Sequence, residues 1–160
     1  MSEWTAVLQI ANVMQAPSAQ RLMLVLQSDP ALVSVIQDAI ADEEWPPQLM
    51  AIADLQTALD FLHRQGAYTT AQRPHLILLD LELGEKNEGR QLLTSIKSDA
   101  QLRRIPIIVL AQSDCPDEIF NVYAAQGNCY VVRSGDRDQL IQIMRRIEEF
   151  WLNIVTLPQE

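Results

Sequence analysis

The chain has 160 residues, and its 21 acidic residues against 12 basic ones give a formal net charge of −9. This length suits one domain, and the negative field repels phosphate backbones and anionic lipid, so we expect no nucleic-acid partner. No apolar run approaches the roughly 20 residues of a membrane span, and no basic segment followed by an apolar one marks a signal peptide. We therefore expect a cytoplasmic protein without membrane contact.

The cysteines and histidines do not form a recognisable site in sequence. Cys115 and Cys129 lack the CxxC spacing, and a secreted disulfide framework would need more cysteines, so free thiols in a reducing compartment are expected. His63 and His75 lie apart, without a cysteine or acidic clamp. The sequence therefore predicts neither a disulfide nor a zinc site.

Short apolar runs alternate with segments of helical spacing after an N-terminal arm of residues 1–20. The arm fits either a short helix or an extended segment, docked loosely on the domain or contributing to a partner or dimer surface. Residues 22–26 form an apolar run typical of a buried strand. Asp29 and Pro30 then predict the start of a helix, which the segment 45–47 breaks with two prolines.

The same alternation continues to the end of the chain. The later predicted elements are, in order, a strand at 49–53, a helix capped by Asp54 and ended by Gly66, a strand at 76–81, a loop at 84–89 with a helix after it, a strand at 107–110, a helix containing Ile119 and Val122, a strand at 129–132 and a last helix from about Asp136 to about Leu152. Five such units in series imply a parallel sheet covered on both faces.

The predicted fold class is α/β, a flavodoxin-like doubly wound sandwich. Right-handed crossovers favour a five-stranded parallel sheet in the order 2-1-3-4-5 with five helices. In such sheets, sites form at the carboxyl ends of the strands where the strand order switches. Those ends carry Gln27 and Ser28 after the first strand and Asp80 on the third.

Four long stretches of the chain resemble response-regulator receiver domains, in the same order and spacing. They are ALDFLHRQGAY (58–68), RPHLILLDLEL (73–83), LLTSIKSDAQLRRIPIIVL (92–110) and IEEFWLNIVTLP (147–158). The similarity runs from about Arg21 to Pro158 and is greatest to the cyanobacterial phytochrome response-regulator subgroup. It implies a receiver-like (CheY-like) domain over 21–158 that serves two-component phosphorelay signal transduction.

The resemblance also implies a set of site residues. The family has a phosphoacceptor aspartate at the end of the third strand, an acidic pair after the first, a serine or threonine after the fourth and a lysine after the fifth. Asp80 matches the phosphoacceptor, and Glu82 matches the position whose backbone carbonyl helps to hold magnesium. Tyr130 matches the aromatic switch position.

The remaining family positions carry other residues, which we interpret as a degenerate pocket. Gln27 and Ser28 stand in place of the acidic pair, Ala111 in place of the serine or threonine, and Arg133 in place of the lysine. Magnesium prefers oxygen ligands that include one or two carboxylates, so we expect no cofactor and at most weak Mg²⁺ binding. Asp29 is adjacent, but a helix N-cap role is expected for it.

Two consequences follow for the chemistry of Asp80. Ala111 has no hydroxyl with which to contact a phosphoryl oxygen, the contact that the family uses to couple phosphorylation to the switch aromatic. Arg133 keeps a positive charge and can bind Asp80 directly in a charge-assisted pair. The sequence therefore predicts a locked, metal-free pocket in which Asp80 is held as a structural carboxylate, with residual phosphorylation as the alternative.

The predicted last helix carries more apolar residues than one buried face needs. The apolar stripe of this helix is wider than the face that a helix needs to cover a sheet. The resemblance to the subgroup also implies dimerisation through this region. We therefore predict a homodimer, with the tail folding back on its own domain as the alternative. The residues assigned to the dimer interface are Ile143, Ile147, Phe150, Trp151 and Ile154.

Three functional hypotheses differ in class. The leading one is an atypical single-domain response regulator, a pseudo-receiver that signals through protein contacts and is not an enzyme. Its partner would be a sensor kinase, a photoreceptor or another signalling protein. The second is a phospho-accepting receiver that uses Asp80. The third, a nucleotide- or flavin-binding enzyme, lacks the glycine-rich phosphate loop that it would need after the first strand.

Overall fold

A computed structural model describes residues 21–43, 46–85 and 87–158. In it, five parallel strands form one sheet in the order β2-β1-β3-β4-β5, which confirms the predicted fold class. The strands are β1 (Leu22–Leu26), β2 (Gln48–Ile52), β3 (Leu76–Asp80), β4 (Ile107–Ala111) and β5 (Cys129–Val132). The predicted arm of residues 1–20 and Trp45 lie outside the described residues.

The described part of the chain contains five α-helices, which follow the strands and cover both faces of the sheet. They are α1 (Pro30–Ala41), α2 (Leu55–Leu62), α3 (Glu88–Ser98), α4 (Pro116–Ala124) and α5 (Arg137–Glu148), with a 3₁₀ turn at Gly66–Tyr68 and a π-helical turn at Glu149–Ile154. None of these helices is long and apolar enough to cross a membrane.

Continuous apolar runs make β1, β3 and β4 the buried centre of the sheet. All of their residues are buried, because helices cover both faces of a doubly wound sheet. Alternate residues of β1 point to opposite faces, so Leu24 joins the core layer that includes α2 and α3, whereas Met23 and Val25 join the layer that includes α1 and α5. This arrangement leaves the strand ends as the places where polar side chains meet.

Aspartates begin three of the helices, as the sequence pattern indicates. The side chains of Asp29, Asp54 and Asp136 accept hydrogen bonds from backbone N–H groups in the first turn of α1, α2 and α5. The predicted end of α2 was wrong by four residues. The helix ends at Leu62, because the chain already turns at Arg64, which has a positive φ of 55°.

The predicted last helix is two elements. The α-helix ends at Glu148, and the remaining residues form the π-helical turn, which is fastened to the start of β1. Arg21 donates to the carbonyl oxygen of Leu152 and, at 2.9 Å, to Oδ1 of Asn153. The turn therefore packs against the domain and continues the cover that α5 gives to one face of the sheet.

Glu148 is a buried acid at the junction of these two elements. It is 1% exposed, and neither of its carboxylate oxygens has a hydrogen-bond partner within residues 21–43, 46–85 and 87–158. Burial raises the pKa of Glu148 to about 8; the negative charge of Glu43 adds to this rise, and the positive charge of Arg21 opposes it. At neutral pH the folded protein therefore holds this carboxyl group in its protonated form.

This protonation predicts a pH-dependent stability. The folded-state pKa of Glu148, about 8, lies above the ordinary value of 4.5. The contribution of this group to the free energy of unfolding is therefore fully present below about pH 4.5 and falls as the pH rises towards 8. In urea unfolding, Glu148→Gln should reduce this fall by at least about 1.4 kcal/mol, the equivalent of one pKa unit. The exposed neighbour provides the control, since Glu149→Gln should keep the wild-type slope; an unchanged slope in Glu148→Gln would contradict the burial argument.

Candidate functional site at the carboxyl edge of the sheet

The carboxyl ends of four strands bring the predicted site residues to one edge of the sheet. Asp80 is the last residue of β3, and Ala111 is the last residue of β4. Gln27 follows β1 directly, and Arg133 follows β5. Since all strands are parallel and β1 lies beside β3, these side chains meet at the point where the strand order switches.

Asp80 is buried, and both of its carboxylate oxygens accept hydrogen bonds. Its side chain is 1% exposed. Oδ2 accepts from Nε2 of Gln27 at 2.5 Å and from Nε of Arg133 at 3.2 Å, and Nη2 of Arg133 lies at the same 3.2 Å. Oδ1 accepts from the backbone N–H of Glu82 at 2.8 Å. The carboxylate thus has a cationic partner and no unsatisfied oxygen.

The orientation of Gln27 follows from a second hydrogen bond. Its Oε1 accepts from the backbone N–H of Asp29 at 3.0 Å, which leaves Nε2 to face Asp80. Asp29 itself caps α1, with its Oδ1 accepting from Ala31 N at 2.9 Å. Ser28 is exposed to solvent. Of the three residues after β1, only the amide reaches the buried carboxylate.

These residues do not fit a divalent cation. The groups that contact Asp80 are an amide N–H, a guanidinium and a backbone N–H, all of which are hydrogen donors, whereas magnesium and manganese require lone-pair donors. The Glu82 side chain is 53% exposed and lies 3.8 Å from Nη2 of Arg133. Across residues 21–43, 46–85 and 87–158, no group of three or more histidine, cysteine, aspartate or glutamate residues is placed to hold a metal ion.

Ala111 and Tyr130 are the residues that the sequence resemblance assigns to the two switching positions. Ala111 is 1% exposed, and its carbonyl oxygen accepts from Arg133 N at 2.8 Å, while its methyl group offers no hydrogen-bond donor. The Tyr130 hydroxyl donates to the carbonyl oxygen of Ser113 at 2.7 Å. Burial and the nearby charge of Glu118 raise the pKa of Tyr130. Tyr130 is therefore held in a half-buried position by a backbone acceptor.

A second tyrosine contacts the same strand. The hydroxyl oxygen of Tyr123, on α4, accepts from the backbone N–H of Tyr130 at 3.1 Å. The backbone N–H of Arg133 donates to the carbonyl oxygen of Ala111 on β4, and N–H groups alternate in direction along a strand, so that of Tyr130 points away from β4. Tyr123 therefore satisfies a backbone donor on the open side of β5.

Gly89 lets α3 start directly beside the site. A Cβ atom at this position would lie 2.4 Å from the carbonyl oxygen of Leu81 and 2.9 Å from that of Asp80. The loop before it turns at Asn87, which has a φ of 66°. Glu88 accepts from Glu85 N at 2.7 Å and closes this turn. The absence of a side chain at Gly89 thus permits the close approach of helix and strand.

The apolar residues at the end of the chain divide into buried and exposed groups. Ile147 is 7% exposed and packs in the core layer with α1, which corrects its assignment to a dimer interface. Ile143 and Trp151 are half-buried against the same layer. Phe150 and Ile154 are 49% and 62% exposed, and the Phe150 ring makes an edge contact with Trp151 at 5.7 Å.

The hydrogen bond from Gln27 to Asp80 is the contact that sequence reasoning missed. The sequence indicated the loss of a carboxylate at this position, but it did not indicate that the amide replaces a metal ligand with a donor. The signal was present in the residue type, because a glutamine next to a buried carboxylate can donate where a glutamate cannot.

Comparisons with known proteins identify relatives of the whole domain. No protein-family model matches the chain. The chain is 36% identical over 138 residues to the response regulator Rcp1 of Synechocystis sp., covering 86% of this chain and 93% of Rcp1. The crystal structure of the phosphorylated cyanobacterial phytochrome response regulator RcpA is 41% identical and superimposes with a TM-score of 0.84, covering 88% of this chain and 100% of RcpA.

A Mn²⁺-bound form of Rcp1 is similarly related. Its crystal structure is 35% identical, with a TM-score of 0.81 over 87% of this chain and 99% of Rcp1. With the sheet order and the aspartate at the end of β3, these similarities define the class of protein: the chain belongs to the response-regulator family of two-component signalling. Within it, the relative RcpA is a cyanobacterial phytochrome response regulator.

The buried ion pair predicts strong coupling between Asp80 and Arg133. Arg133→Met leaves an unpaired buried carboxylate and should lower the free energy of unfolding by about 3 kcal/mol. Adding Asp80→Asn should restore much of this loss, because the amide carries no charge. Urea unfolding of the two single variants and the double variant measures the coupling free energy.

The matched control is an exposed ion pair of the same kind. Arg145 lies 2.9 Å from Asp42, and both side chains are largely exposed. Arg145→Met should therefore cost less than about 1 kcal/mol. Additivity of Asp80→Asn and Arg133→Met, within about 0.5 kcal/mol, would contradict the pairing.

Proposed function

We propose that this response regulator is a pseudo-receiver, an atypical single-domain member that acts through protein–protein contacts with phosphorylation lost or impaired. The observation that carries the proposal is the state of Asp80, whose Oδ2 accepts from Gln27 and lies 3.2 Å from two nitrogens of Arg133. These donors occupy the oxygen that a phosphoryl group or a metal ion would need. No catalytic role is proposed for any residue.

The electrostatics of phosphoryl transfer support the proposal. Attack by a carboxylate brings negative charge towards a phosphoryl group, and receivers depend on a metal ion to neutralise that charge. Here Gln27 adds a hydrogen donor where the family has a metal-binding acid. Arg133 forms an ion pair with Asp80, so the positive charge of Arg133 is already neutralised before a phosphoryl group arrives.

The switching path is also altered. A phosphoryl group on Asp80 would meet the methyl group of Ala111 where the family has a hydroxyl donor. Tyr130 has a backbone acceptor at 2.7 Å in Ser113, which holds its hydroxyl without any contribution from position 111. We therefore infer that the domain presents one constant surface to its partners.

We propose a sensor kinase or a photoreceptor as the partner, with Phe150 and Ile154 forming a homodimer interface together with the exposed parts of Ile143 and Trp151. Support for the partner comes from relatives that are phytochrome response regulators. Support for the dimer comes from the exposed fractions of Phe150 and Ile154, since apolar side chains exposed side by side favour association. No cofactor is proposed, and the proposed location is the cytoplasm.

A second function is favoured by one specific observation. Asp80 keeps the phosphoacceptor position at the end of β3, and the relative RcpA, at 41% identity, is described in its phosphorylated form. A phospho-accepting receiver would have to separate Asp80 from Arg133 and recruit a cation without a second acid. This alternative therefore makes the opposite prediction for a phosphate mimic.

Beryllofluoride, a mimic of the aspartyl phosphate, distinguishes the two functions. Amide NMR signals of Asp80, Glu82 and Ala111 should not shift when millimolar Mg²⁺ and beryllofluoride are added, because the carboxylate is held by Gln27 and Arg133. A variant that restores the family residues should respond at the same concentrations. Its substitutions are Gln27→Glu, Ser28→Asp, Ala111→Thr and Arg133→Lys.

The control for this experiment is the restored variant with Asp80→Asn added, which should again give no shift. A shift in the wild-type protein that Asp80→Asn abolishes would overturn the pseudo-receiver proposal and establish the phospho-accepting alternative.

The proposed dimer interface is tested by charge substitution. Phe150→Glu combined with Ile154→Glu should convert a dimer to a monomer in sedimentation velocity, because two buried charges in an apolar contact are costly. Phe120→Glu, on the 70% exposed aromatic of α4, should leave the sedimentation coefficient unchanged. A wild-type monomer, or a dimer that only Phe120→Glu disrupts, would contradict the assignment of the interface to the end of the chain.

A further inference from the structure

Two depressions join into one groove at the amino-terminal edge of the sheet, opposite Asp80. One has a volume of about 610 Å³ and is lined by Arg21, Arg73 and His75 among others. The other has a volume of about 590 Å³ and is lined by His63, Arg73 and Arg104 among others. They share the segment 72–74 and Arg64, and together we call them the basic groove.

The charge of the basic groove is opposite in sign to the net charge of the protein. Four arginines of the chain line it, although the chain has only 12 lysines and arginines against 21 acidic residues. Two histidines also line it, but burial and the charge of Arg21 lower the pKa of His75, so the positive charge is that of the arginines. Among the described residues that line either depression, none is an aspartate or a glutamate. A strongly acidic protein therefore presents a local positive field at this edge.

Two of these arginines carry charge that no carboxylate of the described chain neutralises. Arg73 donates to the carbonyl oxygen of Gln101 at 2.5 Å, which is a neutral acceptor. Arg104 is exposed and forms no hydrogen bond or ion pair through its side chain with residues 21–43, 46–85 or 87–158. Two acids lie near the groove without lining it: Asp99 pairs with His63 at 2.9 Å, and Glu148, near Arg21, is held protonated at neutral pH.

The lining favours a peptide over a small anion. Apolar residues line both depressions beside the arginines, with the buried Phe61 and Leu102 in one and the half-buried Val155 and Leu157 in the other. Guanidinium groups bind carboxylates in a two-point geometry, and apolar side chains between them fit the apolar residues of a chain. A long polyanion such as nucleic acid would also meet the repulsion of a net charge of −9, which a short segment avoids.

We propose that the basic groove binds an acidic segment of a partner protein, with its carboxylates on Arg73 and Arg104. This inference goes beyond the proposed function and does not depend on it. The five residues of β3 from Leu76 to Asp80 separate the groove from the phosphoacceptor position by about 17 Å. The two sites therefore give separate NMR responses.

The test uses a capped nine-residue peptide of three Glu-Leu-Ser repeats and its Gln-Leu-Ser counterpart. The glutamate peptide should shift the amide signals of Gln72, Arg73 and His75, of 101–104 and of 155–157, but not that of Asp80. Arg73→Gln combined with Arg104→Gln should weaken binding at least tenfold. Arg104→Gln alone, which breaks no contact with the described chain, should weaken it threefold or more and shows that the loss does not come from misfolding.

A matched control removes the same two charges elsewhere. Arg137→Gln combined with Arg145→Gln breaks exposed ion pairs with Asp38 and Asp42 and should change the affinity less than twofold. Equal binding of the glutamine peptide, an unchanged affinity in the Arg73/Arg104 variant, or binding of inorganic phosphate as tight as that of the glutamate peptide would each overturn the proposal. A response of the Asp80 signal alone would overturn it as well.

Discussion

A carboxylate removed from water must be neutralised where it lies, and the ends of the central strands are arranged around that requirement at Asp80. An unpaired buried charge costs several kcal/mol, a large fraction of the stability of a domain. Arg133 supplies the opposite charge, Gln27 supplies a neutral donor, and the N–H of Glu82 supplies the third contact. The contacts of Gln27 and Arg133 tie the ends of β1 and β5 to β3, so the pocket is part of what holds the sheet edge together.

The choice of arginine over lysine matters for this arrangement. A lysine presents a compact charge on a flexible stem, whereas the planar guanidinium offers two nitrogens at 3.2 Å from the same oxygen of Asp80. A third contact runs to Glu82 at 3.8 Å, so one side chain bridges two acids. Gln27 carries no charge, so it does not compete with Asp80 for this arginine. Gln27 and Arg133 are therefore physically complementary.

Much of the fold follows from local pattern. The apolar runs of β1, β3 and β4 and the aspartate caps of α1 and α2 are properties of short segments, and these predictions were confirmed. The end of α2 was missed because it depends on a left-handed residue, Arg64, and not on the glycine that the pattern favours. Chain topology alone brought Asp80 and Arg133 to the same edge. The contact between Gln27 and Asp80 and the burial of Ile147 depend on side-chain packing, which no periodicity encodes.

The hydroxyl of Tyr123 has a consequence for the behaviour of the protein in concentrated solution. β5 is an outer strand, and an outer strand presents unpaired N–H groups to which a strand of another molecule can add. Tyr123 accepts the N–H of Tyr130, one of the donors on the open side of that strand. A side chain from the neighbouring helix thus makes this donor unavailable to a strand of another molecule, without interrupting β5.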